Sequence, residues 1–456
     1  MKTGITLRTE NPLVERPGLG PERVIEMVID QQAEQDLREF VQAWAREHVR
    51  AGSLEEAERV AVEVSRIVGQ AVAEAALAET PAASYEGCSR RCGCGRKAQF
   101  MGYRPRTLVT LVGEVRVKRA YYHCEHCHTG VAPWDGAQGL TRRCYSPGVK
   151  AVVAETAVRM PYGGGMEFLA RLTPLRIEES AAELIVQEVG GRVREAQAAA
   201  AEQYLSGRVP LPTGPPVERL YVTLDGSSAH IDGAWHEVKS GAVYAAQPGD
   251  EDVDRSGPKR YVSAQEPAED FMARLYVEAL EAGVHRAEEV VVLGDGAEWI
   301  WNHAPVHFPG AIEIVDYWHA CQHIHDLAKA QYGEGSLQGQ RWAREHCTRL
   351  YEQGPTPYRL ALRRMKPRSP EAADKLRTER RYFATHAHRM RYPQFREKRL
   401  MIGSGIAEAA CKVVVGQRLK QPGMRWGHDG AHSLLAVRCL TLNHQHDDIR
   451  HFAKAA

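Results

Sequence analysis

Two apolar runs end in an aspartate followed by glycine. YVTLDGSS carries Asp225 and VVVLGDGAEWIW carries Asp295. In an α/β sheet the strand ends are rigid, and a following Gly lets the chain turn away, so side chains that do chemistry gather there. Two aspartates on neighbouring strands can share divalent metal ions; a strand-terminal Asp also serves as an ordinary turn former or helix N-cap. A third acid, Glu408, lies in MIGSGIAEAACKVVVGQRLKQPGMRW. Ser404 is placed to cap a helix there, and Lys412, one turn on, shares the face of Glu408. The Gly403-Ser404-Gly405 opening and the basic exit (Arg418, Lys420, Arg425, with Trp426) suit close approach to phosphates, although an acid on such a helix can equally be a solvent-facing residue.

Cysteine supplies the second kind of chemistry. Of 10 cysteines, Cys88, Cys92, Cys94, Cys124 and Cys127 crowd into one short stretch. Cys124-Glu-His-Cys127 is spaced as a zinc half-site, and Cys92-Gly-Cys94 offers the other half across a hairpin. Arg91 stands where the commoner C-x-x-C pairing would put a cysteine, so Cys88 remains an alternative ligand. Buried free thiols are the non-metal reading.

These residues need a multidomain α/β chain to hold them. A length of 456 residues suggests two to four domains. Residues 1–84 read as an N-terminal helical region, with Val24, Ile25, Val28 and Ile29 and then Leu37, Phe40, Val41 and Trp44 at helical spacing; Ser53 and Glu56 form a capping box for a second helix. Residues 85–140 alternate as a β-hairpin turning near Gly113 between the cysteine pairs. Residues 141–210 return to helix, broken near Thr173-Pro174, in a helix-turn-helix-like pattern of DNA-reading size. Residues 211–325 hold three hairpin-like strands, a helix and two more strands, the order a ribonuclease H-like sheet requires. A basic helical segment follows over 326–399, and 400–456 carry the Glu408 helix.

Charge is segregated among these segments. The chain has 59 Lys+Arg against 58 Asp+Glu, but residues 341–399 hold 17 basic and 6 acidic side chains, a net of +11, which leaves −10 for the rest. Such asymmetry marks one basic contact surface. No run approaches the roughly 20 apolar residues of a membrane helix, and the first residues lack an apolar signal core, so a soluble cytoplasmic protein without membrane partners is expected.

Taken in order, LDG with GAWHEVKSGAVY, VVVLGDGAEWIW, DYWHACQHI and IGSGIAEAACKVVVGQRLKQPGMRW resemble the motifs of the ISKra-type insertion-sequence transposases, bacterial DDE enzymes akin to the Mutator-like group. CGCGRKAQFMGYRPRTLVTLVGEVRVKRAYYHCEHC resembles that family's zinc-knuckle region. The resemblance implies a ribonuclease H-like core in which Asp225, Asp295 and Glu408 hold Mg²⁺ or Mn²⁺, interrupted by the basic insertion. It implies a Zn²⁺ knuckle and action on the bacterial nucleoid. The expected partners are double-stranded DNA, both terminal inverted repeats and target, and a second copy in the active synapse. Asp316 and His319 match an Asp-x-x-His signature and are expected, with Lys412, Arg418, Lys420, Arg425 and Trp426, to position DNA; His319 also reads as a residue that orders its own helix. A nuclease or resolvase of the same fold, and a zinc-containing DNA-binding regulator without catalysis, fit the same residues.

Overall fold

The computed structural model describes residues 6–9, 25–28, 31–78, 85–140, 143–247, 254–403 and 405–454. They form a mixed α/β chain of two compact units, residues 1–192 with 446–456, and residues 193–445. No helix among the described residues is long and apolar enough to cross a membrane.

The first unit opens with strands β1 (Thr6–Thr9) and β2 (Ile25–Val28), paired antiparallel. The helix expected around Ile25 and Val28 is therefore a strand. A run this short cannot repay helix nucleation, whereas pairing with Thr6–Thr9 satisfies its backbone at once. Val24 and Ile29 lie outside the described residues. Helices α1 (Gln31–His48) and α2 (Leu54–Ala78) follow. The Ser53 half of the capping box forms, with the Glu56 amide donating to Ser53 Oγ at 3.2 Å, while Glu56 Oε2 accepts from the Gly52 amide, one residue earlier, at 2.7 Å.

Strands β3 (Ser89–Arg91), β4 (Lys97–Thr110), β5 (Gly113–His123) and β6 (Gly130–Val131) make an antiparallel sheet whose long hairpin turns between Thr110 and Gly113. Leu108, Val115 and Val117 bury one face against Trp134 of helix α3 (Pro133–Ala137) and Leu77 of α2. Arg106 and Arg119 turn inward to Asp135, at 2.6 and 3.0 Å, so part of the knuckle's basic charge is structural. Helices α4 (Pro147–Ala157), α5 (Tyr162–Leu172) and α6 (Glu179–Leu205) reproduce the break expected near Thr173. Lys150 is fully buried and paired with Glu188 at 2.7 Å.

The second unit is built on a mixed sheet of β7 (Val217–Ile231), β8 (Ala234–Gln247), β9 (Arg255–Ser256), β10 (Arg260–Ala264), β11 (Ala287–Gly294) and β12 (Ile312–Val315), in the order β10-β8-β7-β11-β12 with β9 on β8. β7, β8 and β10 pair antiparallel, whereas β11 runs parallel to both β7 and β12. Parallel strands need crossovers, here helices α7 (Ala268–Glu281) and α8 (Glu298–His307). Leu220, Val222 and Leu224 of β7 and Val291, Val292 and Leu293 of β11 are all fully buried, the unbroken apolar pattern of strands covered on both faces.

After β12 come α9 (Tyr317–Tyr332), α10 (Leu337–Gln353), α11 (Pro355–Arg364), α12 (Pro370–Thr385) and α13 (Tyr392–Glu397). This is the helical segment expected over 326–399, and it does not stand apart from the sheet. Tyr358, Leu376, Phe383 and Tyr392 belong to the same apolar core as Val291 and Ile314. Glu379 of α12 is fully buried, with both carboxylate oxygens 3.0 Å from His323 Nδ1 of α9 and Lys375 Nζ at 3.1 Å. Helix α14 (Gly405–Ala410), a π-helical turn over Cys411–Gly416, α15 (Gln417–Leu419) and α16 (His428–Leu442) complete the unit. The final helix α17 (His446–Ala453) belongs to the first unit, where it packs on α4.

A buried acid paired with Lys375 and hydrogen-bonded to His323 is costly to disturb from one side, since the survivors keep desolvated, unmatched polar groups. Glu379→Ala is expected to lower stability by about 3–5 kcal/mol, and Glu379→Gln, which keeps an acceptor for His323, by less than half of that. Denaturant unfolding of the full chain measures both; equal losses would make the site one of shape rather than charge.

Candidate functional site

Strand register decides where the acids stand. Leu224 of β7 pairs with Gly294 of β11, and Gly294 with Val315 of β12. The next residues along the three strands are Asp225, within β7, and Asp295 and Asp316, just past the ends of β11 and β12, so three aspartates stand at one level on adjacent parallel strands, about 4.8 Å apart from strand to strand.

Each acid is oriented by a backbone amide. Asp225 Oδ1 accepts from the Gly226 amide at 2.7 Å, and Asp295 Oδ1 from the Ala297 amide at 2.8 Å. Asp316 Oδ1 accepts from the His319 amide at 2.6 Å, capping α9. The third aspartate is 3% exposed, and its work is to hold the helix start. Trp301 Nε1 bonds the Asp295 carbonyl at 2.8 Å, fixing the loop that carries that acid. At Gly296 a Cβ would fall 2.1 Å from the Tyr382 ring, so only glycine lets α12 close over the loop. Tyr382 in turn stacks on His323 at 3.9 Å, and His323 lies 5.1 Å from the His319 ring.

Electrostatics separates the acids. Burial raises the Asp225 carboxyl above the usual range, and the nearby Asp295 charge adds to this, while a hydrogen bond from the Cys411 thiol, the Gly226 amide and the charge of His319 oppose it. Burial likewise pushes the Cys411 thiol up to about 12, so it stays a neutral donor. Two partly desolvated carboxylates beside each other are the arrangement a divalent cation relieves, and their hard oxygens suit Mg²⁺ or Mn²⁺.

Glu408 lies on α14, which packs against β7 and β8, and its side chain is exposed. The residue touching Asp225 is the buried Cys411, three positions further on, where the π-helical turn begins. Among the described residues Glu408 does not join Asp225 and Asp295 in a group tight enough to share one ion. Ser404, the expected cap, lies outside the described residues. Lys412, Lys420 and Arg425 are exposed, whereas Arg418 is fully buried with its guanidinium 4.8 Å from the Trp426 ring, and Trp426 is itself buried. These two residues hold the segment together from inside, so they present no surface to DNA in this arrangement. The contact that reading the sequence missed is Cys411; its signal was its spacing from Glu408.

In the other unit the thiols of Cys92, Cys94, Cys124 and Cys127 all lie within 4.8 Å of one another. Cys92 and Cys127 are 3.5 Å apart, and Cys94 and Cys124 3.7 Å. Tetrahedral zinc with bonds near 2.3 Å separates its sulfurs by about 3.8 Å, so the cluster can hold a metal ion such as Zn²⁺. Cys88 is exposed and outside the group, which decides the open choice for Cys92 and Cys94. Hydrogen bonds from Thr129 pull the Cys127 thiol down to about 6, favouring the thiolate a metal needs.

Residues 50–449 match the family model of an uncharacterised protein family, UPF0236. The chain belongs to UPF0236. Both sites fall inside the matched span, so the acids and the four thiols are features of the UPF0236 region of the chain. No curated protein matches it.

Two outcomes test these sites. Cys124→Ser is expected to lose the bound zinc, about one ion per chain, and with it folding energy of order 10 kcal/mol in the knuckle, whereas Cys88→Ser keeps both; elemental analysis with limited proteolysis reads the difference. For the acids, a carboxyl whose folded value is raised favours folding when protonated, and this contribution is lost as pH rises through that value. Asp225→Asn is therefore expected to raise the unfolding midpoint at neutral pH, by about 2–4 °C for each kcal/mol relieved, and to flatten its dependence on pH in the acid range. A lower midpoint would make Asp225 a structural acid.

Proposed function

We propose that this protein is a DNA transposase of an insertion sequence, similar to the ISKra-type enzymes. The reading makes residues 193–445 a ribonuclease H-like core. It is carried by one observation, the register that sets Asp225 and Asp295 side by side on parallel strands beneath the helix bearing Glu408. Mg²⁺ or Mn²⁺ held by these acids would stabilise charge on the attacking and leaving oxygens of a phosphodiester. The protein's own part is to hold two acids by backbone amides and to keep Asp225 partly desolvated beneath Cys411. The reading requires Glu408, exposed here, to turn toward the pair from a helix that packs on β7 and β8.

The rest of the chain supports the same reading. The basic surface of residues 341–399 suits a phosphate backbone, where each neutralised phosphate releases counterions. The zinc knuckle and helices α4 to α6 are candidates for reading the element ends, which a pair of protein copies would bring together. A nuclease or resolvase would share the acids and cut without joining, and a silent regulator would bind without cutting.

The test uses purified full-length protein, labelled DNA carrying the element ends taken from flanking genomic sequence, and Mg²⁺. Cleavage and strand joining are expected for wild type and should fall by at least about 10³-fold in Asp295→Asn and Glu408→Gln, whose duplex affinity should stay within about threefold, since the acids carry the metal and not the duplex. Cutting without joining would favour the nuclease, and binding without cutting in Mg²⁺ or Mn²⁺ the regulator.

A further inference from the structure

The tip of the β7–β8 hairpin carries a pocket that the acid site does not use. Its turn, Asp232-Gly233, has both residues at positive φ, 48° and 81°, the geometry of the tightest hairpins. The register pairs His230 with Trp235, and the two rings meet edge to face at 5.7 Å. Trp235 is nonetheless 69% exposed. With His230 it lines a cavity of about 330 Å³ whose other walls include Leu419, Met424, Lys420 and Arg425.

These other walls are fixed. The Asp232 amide donates to the Trp426 carbonyl at 2.8 Å, Trp426 Nε1 to the Leu419 carbonyl at 3.1 Å, and the His428 amide to Asp232 Oδ1 at 3.2 Å. Gly423 turns the chain at φ 79°. The buried Arg418–Trp426 pair therefore supports a preformed cleft.

We propose that this cleft receives an unpaired nucleotide of a DNA strand, with the base on Trp235 and the flanking phosphates on Lys420 and Arg425. The inference rests on the reading of the chain as a DNA-processing enzyme and names a contact of that site. The lining joins a largely exposed indole to two exposed cations, neither of them ion-paired among the described residues, and it includes no acid. That combination selects an anion with a flat π-face. Stacking on an aromatic ring and attraction of the backbone are how single strands are held without regard to sequence. Duplex DNA does not fit the description, because a paired base is covered on both faces by its neighbours. The volume lies at the small end for ligand pockets, in keeping with one base. The site also lies on the strand that carries Asp225, five residues or about 17 Å along β7, so a strand entering the acid site passes within reach.

The experiment compares the full chain with Trp235→Ala, Trp235→Phe and a Lys420→Glu/Arg425→Glu pair, by fluorescence anisotropy on a labelled oligo-dT and on a blunt duplex at several salt concentrations. Trp235→Ala should weaken oligo-dT binding about 10–100-fold, the loss of one stacked base. Trp235→Phe should stay within a few fold of wild type, and duplex affinity should be unchanged in both. The charge pair should lower the salt slope on oligo-dT by about one to two. Oligo-dT binding by Trp235→Ala equal to wild type overturns the pocket while duplex binding leaves the DNA reading standing. A Trp235→Ala chain that loses a dimer by light scattering, with oligo-dT affinity intact, overturns it in favour of a contact between copies. Wild type that binds neither DNA overturns both readings.

Discussion

The parallel pairing of β11 with β7 and β12 is the constraint on which the second unit depends. Because strand side chains alternate with a period of two, a slip of one residue would turn Leu220, Val222 and Leu224 to the opposite face and move Asp225 out of line with Asp295. The slip is prevented by burial. Val291, Val292 and Leu293 are fully enclosed, and each large apolar side chain so enclosed contributes roughly 1.5–3 kcal/mol relative to exposure. The forces that fix the core register therefore also set the level of the aspartates. At that level β11 and β12 end while β7 runs on into its hairpin with β8, and each acid takes a nearby backbone amide.

The helical segment after β12 answers a need of the same sheet. β12 is an edge strand in the order β10-β8-β7-β11-β12, and such an edge invites mispairing unless covered. Tyr392 donates to the Val315 carbonyl at 2.9 Å, and Phe383, Tyr358 and Leu376 extend the sheet's own core outward. Tyr382 reaches over Gly296, so α12 covers the loop that carries Asp295. The basic side chains of this segment are left largely on its outer surface by the same packing, while the charged groups it does bury are matched, as with Glu379 against His323 and Lys375.

Much of this was legible because it rests on local pattern. Apolar runs ending in Asp-Gly gave both strands and acids, and close cysteine spacing gave the metal cluster. The features that were not legible are tertiary. Nothing near residue 25 announces that a partner strand lies at residue 6, and the choice between Cys88 and Cys92 depends on a turn, the Cys92 amide to the Arg96 carbonyl at 2.7 Å, that spacing alone does not specify. Arg418 read as a surface cation because arginine is almost never fully buried without a partner. Its partner is an aromatic ring eight residues away, at the far end of a turn.

The π-helical turn over Cys411–Gly416 explains why the cations after Glu408 were harder to place than the acid itself. A π turn inserts one residue into the α repeat, so an ideal helical wheel drawn through the segment is out of phase beyond it. Before the turn Ala407 and Ala410 face inward and Glu408 outward, and Cys411, which opens the turn, meets Asp225. Beyond it, Arg418 and Leu419 face inward and Lys420 outward, the order needed for Arg418 to meet Trp426 and for the Leu419 carbonyl to accept from its indole. One irregular turn thus serves two ends. It keeps the glutamate helix seated over β7 and delivers the following loop to the hairpin tip, and a regular α-helix of the same length could satisfy only one of these.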